Sequence, residues 1–427
     1  MILQAIVGVL VLTLAVVVPF VPQQLYEENY LEKTQHILSL DYSSELFEKP
    51  TTVAVTGANS GLGFASVQHL VHRCIAKKNS AAKMTIVMAC RSMERCDKAK
   101  NDILQQYNQP DAALVELVTL QLDLASKESI QKFSVELQNK TPRPPSPPTE
   151  KEDPEEEGEE NNNDEDTTDT TSDSTTTSNF AVPPLHVMIN NAGVAAPYPQ
   201  LEYHPAYGIE TQFHVNYIGH VLLTHYVWSN IMAVNQQDPT RKARLVTVSE
   251  GGARFPVDPM KGWYAQENTP HTGILAPILN MVTNMKQYAR SKQGQLFFAA
   301  ELQALYPDSL TTSAAQPGYT RTPIYVSGFH GFPTFLKYIV GYNPLGSMSP
   351  EQGAETILLS TLDQTAQYVG PKWFFFGPPV AVGRGDNLNA GSVHHRPFSR
   401  QRTMALWDRT IKVLGIAEFG KKDYVTM

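Results

Sequence analysis

Cysteine is scarce: the 427 residues carry three, Cys74, Cys90 and Cys96. So few argue against a disulfide framework and suit a reducing compartment, although a lumenal domain without bridges also fits. No C-x-x-C or H-E-x-x-H spacing occurs, which argues against a metal site, and the adjacent His394 and His395 read as a solvated loop. No basic stripe interleaved with aromatics stands out, so a nucleic-acid partner is not expected. Positive charge is also missing from the start of the chain, where Lys33 is the first Lys or Arg. Ahead of it, Ile2 to Val21 is an uncharged apolar run broken mainly by Gln4 and Thr13. Its length is near the roughly 20 residues that span a bilayer core. With no basic n-region and no clear small-x-small site before Pro19, residues 1–22 read as a membrane anchor, with a cleaved signal peptide as the competing reading. The shortage of nearby Lys and Arg leaves the orientation undecided.

The formal charge of −8 has a local origin. From Glu150 to Asp173 there are 13 acidic residues and one lysine, and setting aside that net −12 leaves the remaining chain at +4. The acidic balance therefore says nothing about a substrate. This window lies in an insertion, residues 141–182, that opens with TPRPPSPP and offers almost no large apolar residue to bury, so it should be disordered. It falls between a helix expected over Ser126 to Gln138 and a strand over Leu185 to Ile189, a surface connection where length is tolerated. A docking or phosphorylation tail and a neutral spacer both remain open for it.

The body of the chain alternates apolar strands with helical patterns, which by itself implies a parallel α/β sheet. TTVAVT (Thr51 to Thr56) reads as a buried strand, followed by Gly57, Gly61 and Gly63 and a helical pattern from Leu62 to Cys74. Glycines at such a turn let the backbone approach a pyrophosphate, whose charge the helix N-terminus favours. MTIVMAC (Met84 to Cys90) is a second buried strand. LHVMINNAGV ends in Asn190, Asn191, Ala192 and Gly193, small enough to let a ligand pass closely. HVNYIGHVLLTH puts Asn216 inside an apolar helix, a costly place for an amide without partners. ARLVTVS (Ala243 to Ser249) is another strand. LTTSAAQPGYTRT runs from a strand into Pro317 and Gly318. In YARSK, Tyr288 and Lys292 are four residues apart on a helix and share a face, where the ammonium can lower the phenol's pKa.

TGANSGLG, MACRS, LDLAS, INNAG, HVNYIGHVLLTH, YARSKQGQLFFAAEL, QPGYTRT and SPEQGAETILLST occur in that order across residues 50 to 415. Together they make the chain resemble the short-chain dehydrogenase/reductase family, in its retinol-dehydrogenase-like, WW-domain-oxidoreductase-like branch. The resemblance implies one Rossmann-type doubly wound parallel sheet with helices on both faces over residues 50–415. Around it stand the hydrophobic segment 1–22, a linker 23–49, the disordered insertion 141–182 and a tail 416–427. It further implies that Tyr288 exchanges a proton with a substrate oxygen during hydride transfer. Lys292 would hold the nicotinamide ribose, and Asn216 would help place a water that connects Lys292 to solvent. Cofactor contacts are implied at Gly57, Asn59, Ser60, Gly61, Leu62, Gly63, Asp123, Leu124, Asn191, Ala192, Gly193, Tyr288, Lys292, Pro317, Gly318 and Thr320. Asp123 would meet the adenine amino group and Leu124 would pack beneath the ring. Arg91, with no carboxylate before Glu94, favours NADP over NAD. A homodimer paired through long helices is also in keeping with the family.

One position departs from the pattern. The family's catalytic serine is the second of a Ser-Ser pair, and here Ser249 takes the first place and Glu250 the second. A carboxylate there would repel the oxygen that gains charge and raise the tyrosine's pKa, unless burial keeps it protonated. Either a local bulge turns Ser249 into the site or Glu250 replaces it in an altered or weakened enzyme. Glu250 and Tyr288 are 38 residues apart, and the stretch from Gly251 to Met285 reads as a long inserted loop. A second loop, Tyr319 to Gly346, carries Tyr325, Phe329, Phe332, Phe335, Tyr338 and Tyr342, which suit an apolar pocket, a lid or a membrane contact. The expectation is an NADP-dependent oxidoreductase acting on a lipophilic small molecule at the endoplasmic reticulum membrane, with the secretory pathway as the alternative location. The competing expectation is a cofactor-binding relative that Glu250 has deprived of turnover.

Overall fold

A computed structural model describes residues 44–77, 83–107, 113–142, 182–195, 201–250, 257–268, 270–274, 276–324, 348–371, 379–383, 399–416 and 419. The apolar run Ile2–Val21, most of the insertion (143–181), the aromatics from Tyr325 to Tyr342 and the His394–His395 pair lie outside these residues. Among the described residues no helix is long and apolar enough to cross a membrane.

Eight strands form one sheet in the order β3-β2-β1-β4-β5-β6-β7-β8. They are β1 (Thr51–Thr56), β2 (Met84–Cys90), β3 (Val115–Gln121), β4 (Val187–Asn190), β5 (Ala243–Val248), β6 (Leu310–Ala315), β7 (Ala366–Pro371) and β8 (Pro379–Gly383). All neighbours are parallel except β8, which runs antiparallel to β7 at the edge. The inner strands are buried along their whole length, as the apolar runs of a sheet covered on both faces require.

The strand alternation builds two cores. Ala54, Val87, Met188, Leu245 and Ala314 face one layer of helices: α4 (Lys127–Lys140), α5 (Gly219–Tyr226), α6 (Trp228–Gln237) and α7 (Ala276–Leu305). Val55, Ile86, Met88, Ile189, Val246 and Ala315 face the other, formed by α2 (Gly61–Lys77), α3 (Met93–Leu104) and α8 (Pro350–Leu362). A last helix, α9 (Arg400–Leu414), lies against α7, and a short one, α1 (Ser44–Glu48), precedes β1. The switch in strand order falls between β1 and β4, so the crevice beyond their carboxyl ends is where such a sheet takes a ligand.

Four expectations are revised here. Residues 44–48, counted as linker, fold into α1 and bury Leu46 and Phe47 in the second core. The stretch before YARSK is not all loop: Ala276 to Met285 are helical and prolong α7 to 30 residues. The apolar helix around Asn216 opens as a π-turn, His214–Ile218, before α5 begins. Two of the three cysteines are joined: Cys90 at the end of β2 and Cys96 in the first turns of α3 form a disulfide, with Cα atoms 6.0 Å apart.

Candidate functional site

Apart from Tyr288 and Lys292 on α7, every candidate cofactor residue follows the carboxyl end of a strand. After β1, Gly57 and Gly61 take positive φ angles of 67° and 55°, which glycine alone adopts freely. Gly63 is needed for space: a Cβ there would stand 2.4 Å from the Gly57 carbonyl oxygen and 2.5 Å from Asn191 Nδ2. No acidic residue occupies the first turn of α2, so its free amide ends face an anion unopposed. These residues fit a dinucleotide's pyrophosphate. Asn59 and Leu62 are half-buried around the turn and Ser60 is exposed on it.

The loop after β4 is stitched to this turn by Thr56, whose Oγ1 accepts from the amides of Asn191 and Ala192, each at 2.9 Å. Asn191 Nδ2 donates to the Thr56 carbonyl at 2.8 Å. Beyond β6, Gly318 has φ 75° and Thr320 Oγ1 donates to the Pro317 carbonyl at 3.2 Å. The same loop brings Thr322 over the phosphate turn, where a Cβ on Gly61 would come within 3.3 Å of it. Arg91 is exposed just past β2. Asp123 is half-buried past β3 and accepts from the Ala125 amide at 2.9 Å. Leu124 is buried in the first core, under Gly219.

The catalytic candidates converge from three elements. Lys292 is buried on α7, and its Nζ donates to the Val248 carbonyl at 2.9 Å. The same Nζ would be 3.4 Å from a Cβ on Gly193, and it lies 5.7 Å from the centre of the half-buried Tyr288 ring. The lysine thus joins the loop after β4 to the tyrosine. Asn216, in the π-turn, donates to the Val194 carbonyl at 2.9 Å and to Ser291 Oγ at 3.0 Å, and accepts from the Val194 amide at 2.7 Å. Ser291 Oγ in turn donates to the Tyr288 carbonyl at 2.7 Å. Both amide protons of Asn216 are therefore spent bracing the loop against α7. Its carbonyl, freed from the regular ladder by the π-turn, accepts from Gln295 Nε2 and pairs with His220 Nδ1.

Ser249 continues the β5 ladder without a bulge: its amide donates to Ala315 and its Oγ donates to the Lys292 backbone carbonyl at 2.9 Å. That hydroxyl is committed to packing β5 on α7. Glu250 follows, half-buried. Burial pushes the Glu250 pKa up and the Lys292 charge opposes it; burial pulls the Lys292 pKa down and Glu250 opposes that.

His220, Gln295, Ser291 and Thr56 were not singled out from sequence, yet they contact the candidate residues and the loops around them. His220 is fully buried between Thr56 Oγ1, at 3.1 Å, and the Asn216 carbonyl, and burial holds its pKa down at about 3. The spacing of His220 four residues after Asn216 was the available signal. Among the described residues no group of three His, Cys, Asp or Glu side chains comes together to hold a metal.

No protein-family model matches the chain. The chain is 27% identical to retinol dehydrogenase 14 of Mus musculus over 278 residues, which is 64% of this chain and 61% of that protein. It is 25% identical over 371 residues to retinol dehydrogenase 13 of Homo sapiens, covering 86% and 85% of the two chains. Polyprenol dehydrogenase of Homo sapiens is 23% identical over 381 residues, with 87% of each chain covered.

Proposed function

We infer that this chain, a short-chain dehydrogenase/reductase similar to the retinol dehydrogenases, is an NADP-dependent oxidoreductase that interconverts a lipophilic alcohol with its aldehyde or ketone. The observation that carries the reading is the position of Lys292, whose ammonium stands between the Gly193 loop and the Tyr288 ring. When bound, the nicotinamide supplies or accepts the hydride. Tyr288 gives its proton to the substrate oxygen in reduction and takes one back in oxidation. Lys292 lowers the cost of the tyrosinate and holds the ribose. Gly57, Gly61 and Gly63 would hold the pyrophosphate at the start of α2. Arg91 would hold the 2′-phosphate, Asp123 the adenine, and the loops at Asn191 to Gly193 and Pro317 to Thr320 the nicotinamide half.

Two observations support a lipophilic substrate. Leu279, Val282 and Met285 are exposed on the turns of α7 that lead into Tyr288, an apolar approach to the proton donor. The relatives are named for retinol and polyprenol, both lipophilic alcohols. The Ile2–Val21 segment would hold the enzyme at the endoplasmic reticulum membrane, where such substrates partition. Pairing through the long helices would make it a homodimer.

A second reading rests on Ser249, whose hydroxyl is already engaged: a cofactor-binding protein in which Glu250 has weakened or abolished turnover. Turnover of retinoid, steroid and long-chain carbonyls decides between them. Under the first reading Tyr288→Phe lowers kcat by about 10²- to 10⁴-fold while NADPH still binds. Activity that appears only in Glu250→Ser supports the second. Reduction of small hydrophilic carbonyls alone, by protein lacking residues 1–25, would sink the lipophilic assignment.

A further inference from the structure

The turn from β2 into α3 carries Arg91 and is closed covalently. Cys90, the last residue of β2, is joined to Cys96 in α3 with Cα atoms 6.0 Å apart, and both are buried while Arg91 between them is exposed. The strand side of this bond is tied into the candidate site. The Ala89 carbonyl accepts from the Gly57 amide at 2.8 Å, and the Cys90 carbonyl accepts from the Leu122 amide, one residue before Asp123, at 2.9 Å. On the helix side, Ser92 caps α3 and its carbonyl accepts from the Cys96 amide at 3.1 Å. A single bond thus fastens the end of β2, which holds the phosphate turn and the start of the adenine loop, to the helix that follows Arg91.

We propose that the Cys90–Cys96 pair is a redox-operated clamp on the 2′-phosphate end of the cofactor site: joined, it holds the Arg91 turn set for NADP, and reduced, it frees the turn and weakens NADP binding. The proposal rests on the cofactor assignment in the oxidoreductase reading and adds a regulation of that same site. A crosslink spanning six residues removes less entropy from the unfolded chain than one that closes a long loop, so its effect is local order rather than global stability. A turn already fixed in its binding conformation has no such freedom left to lose when the ligand arrives, and affinity rises accordingly. The thiol form also has a resting place. Cys96 Sγ is 3.4 Å from the Met88 carbonyl, to which an S–H can donate and a disulfide sulfur cannot. Cys74, the third cysteine, is free and lies away from the pair, its Sγ 3.8 Å from the Leu114 carbonyl at the amino end of β3.

The reductant is a dithiol. One of its thiolates attacks a protein sulfur, forming a mixed disulfide as the Cys90–Cys96 bond breaks, and the released sulfur takes a proton. Its second thiol then displaces the other protein sulfur, which is protonated in turn. Two electrons and two protons have passed to the protein, and the dithiol leaves as a disulfide. Because both cysteines are buried, the attack requires the first turn of α3 to lift, and a 2′-phosphate held by Arg91 opposes that movement. Cofactor binding and redox state are therefore linked in both directions.

The test compares NADPH and NADH binding, by cofactor fluorescence titration, to the full-length chain in detergent micelles, oxidised or treated with dithiothreitol. Alkylation after denaturation verifies the state: one label, on Cys74, for the joined pair and three for the reduced chain. Reduction should raise the NADPH Kd about fivefold or more, the low end of coupling between two sites, and leave that of NADH within about twofold. By reciprocity, saturating NADP should raise the oxidised fraction in a dithiothreitol buffer of fixed ratio, and NAD should not. In the double variant Cys90→Ser, Cys96→Ser, the NADPH Kd should match that of the reduced chain and ignore dithiothreitol. Equal NADPH Kd values in the two states overturn the proposal, as do three labels on the oxidised chain or a dithiothreitol effect that survives in the double variant. The comparison of redox states itself needs no variant to fold. Absence of NADPH binding in either state would sink the cofactor assignment and the proposal with it.

Discussion

Arg91 stands exposed at the first position after β2, in the turn closed by the Cys90–Cys96 disulfide, and Ser92 caps the helix that follows. A guanidinium there matches a 2′-phosphate and has no use for a bare ribose hydroxyl. Arg91→Glu should therefore raise the Kd for NADPH at least tenfold, about 1.4 kcal/mol, while NADH binding stays within about twofold. Cofactor fluorescence titration measures both. Equal losses for the two cofactors would remove Arg91 from the discrimination. The cysteine pair around it was hidden from sequence for a simple reason. A count of three cysteines carries no distances, and only the turn from β2 into α3 brings these two side chains together.

Among the elements, α7 carries most of the site and departs most from expectation. Its extra turns before Tyr288 begin at Ala276, after a stretch rich in Pro and Gly that reads as loop. Their exposed apolar positions blur the helical pattern, because Leu279, Val282 and Met285 do not pack on the sheet. The π-turn at Asn216 was equally hidden, since the Asn216 carbonyl meets Gln295 Nε2, 79 residues along the chain, and His220 Nδ1 only in the folded chain. Inside the sheet, β5 is joined to α8 and β7 by a buried guanidinium. Arg244 donates to the carbonyls of Ser360, Asp363, Gln364 and Ala366, including those at the negative end of α8. Arg244→Met would leave these acceptors buried and unmatched, at a cost of about 3 kcal/mol. Urea unfolding should show the loss. An unchanged unfolding midpoint would mean that water replaces the guanidinium.

For the molecule as a whole, buried histidines contribute to the acid limb of stability. Burial holds His186, His214 and His220 at about pKa 3 in the folded chain, with the Arg241 charge also lowering His186 and His204 also lowering His214. The unfolded chain takes up these protons near the ordinary histidine value of 6.5. Their contribution is therefore complete above about pH 6.5 and is lost progressively as pH falls towards 3. Glu210 has the opposite sign: burial raises its pKa to about 7, so its contribution is complete below the unfolded value of 4.5 and fades as pH rises through neutrality. The expected result is a Tm that falls on acidification below about pH 6.5, with a shallower fall in His186→Gln. A slope unchanged by that substitution would acquit His186.

Most of the fold was legible because its signals are local and repeated. β1, β2 and the turn holding Gly57, Gly61 and Gly63 announce themselves through apolar runs and glycine spacing. The four-residue step from Tyr288 to Lys292 likewise puts both on one helical face. What only the tertiary structure decided is which groups already have partners. Sequence left Ser249 and Glu250 as rivals for one place. The folded chain spends the Ser249 hydroxyl on the Lys292 carbonyl and the Lys292 ammonium on the Val248 carbonyl, because β5 and α7 meet there across a 43-residue separation. Local pattern specifies an element, but a hydrogen-bond partner that far along the chain exists only once the sheet has closed.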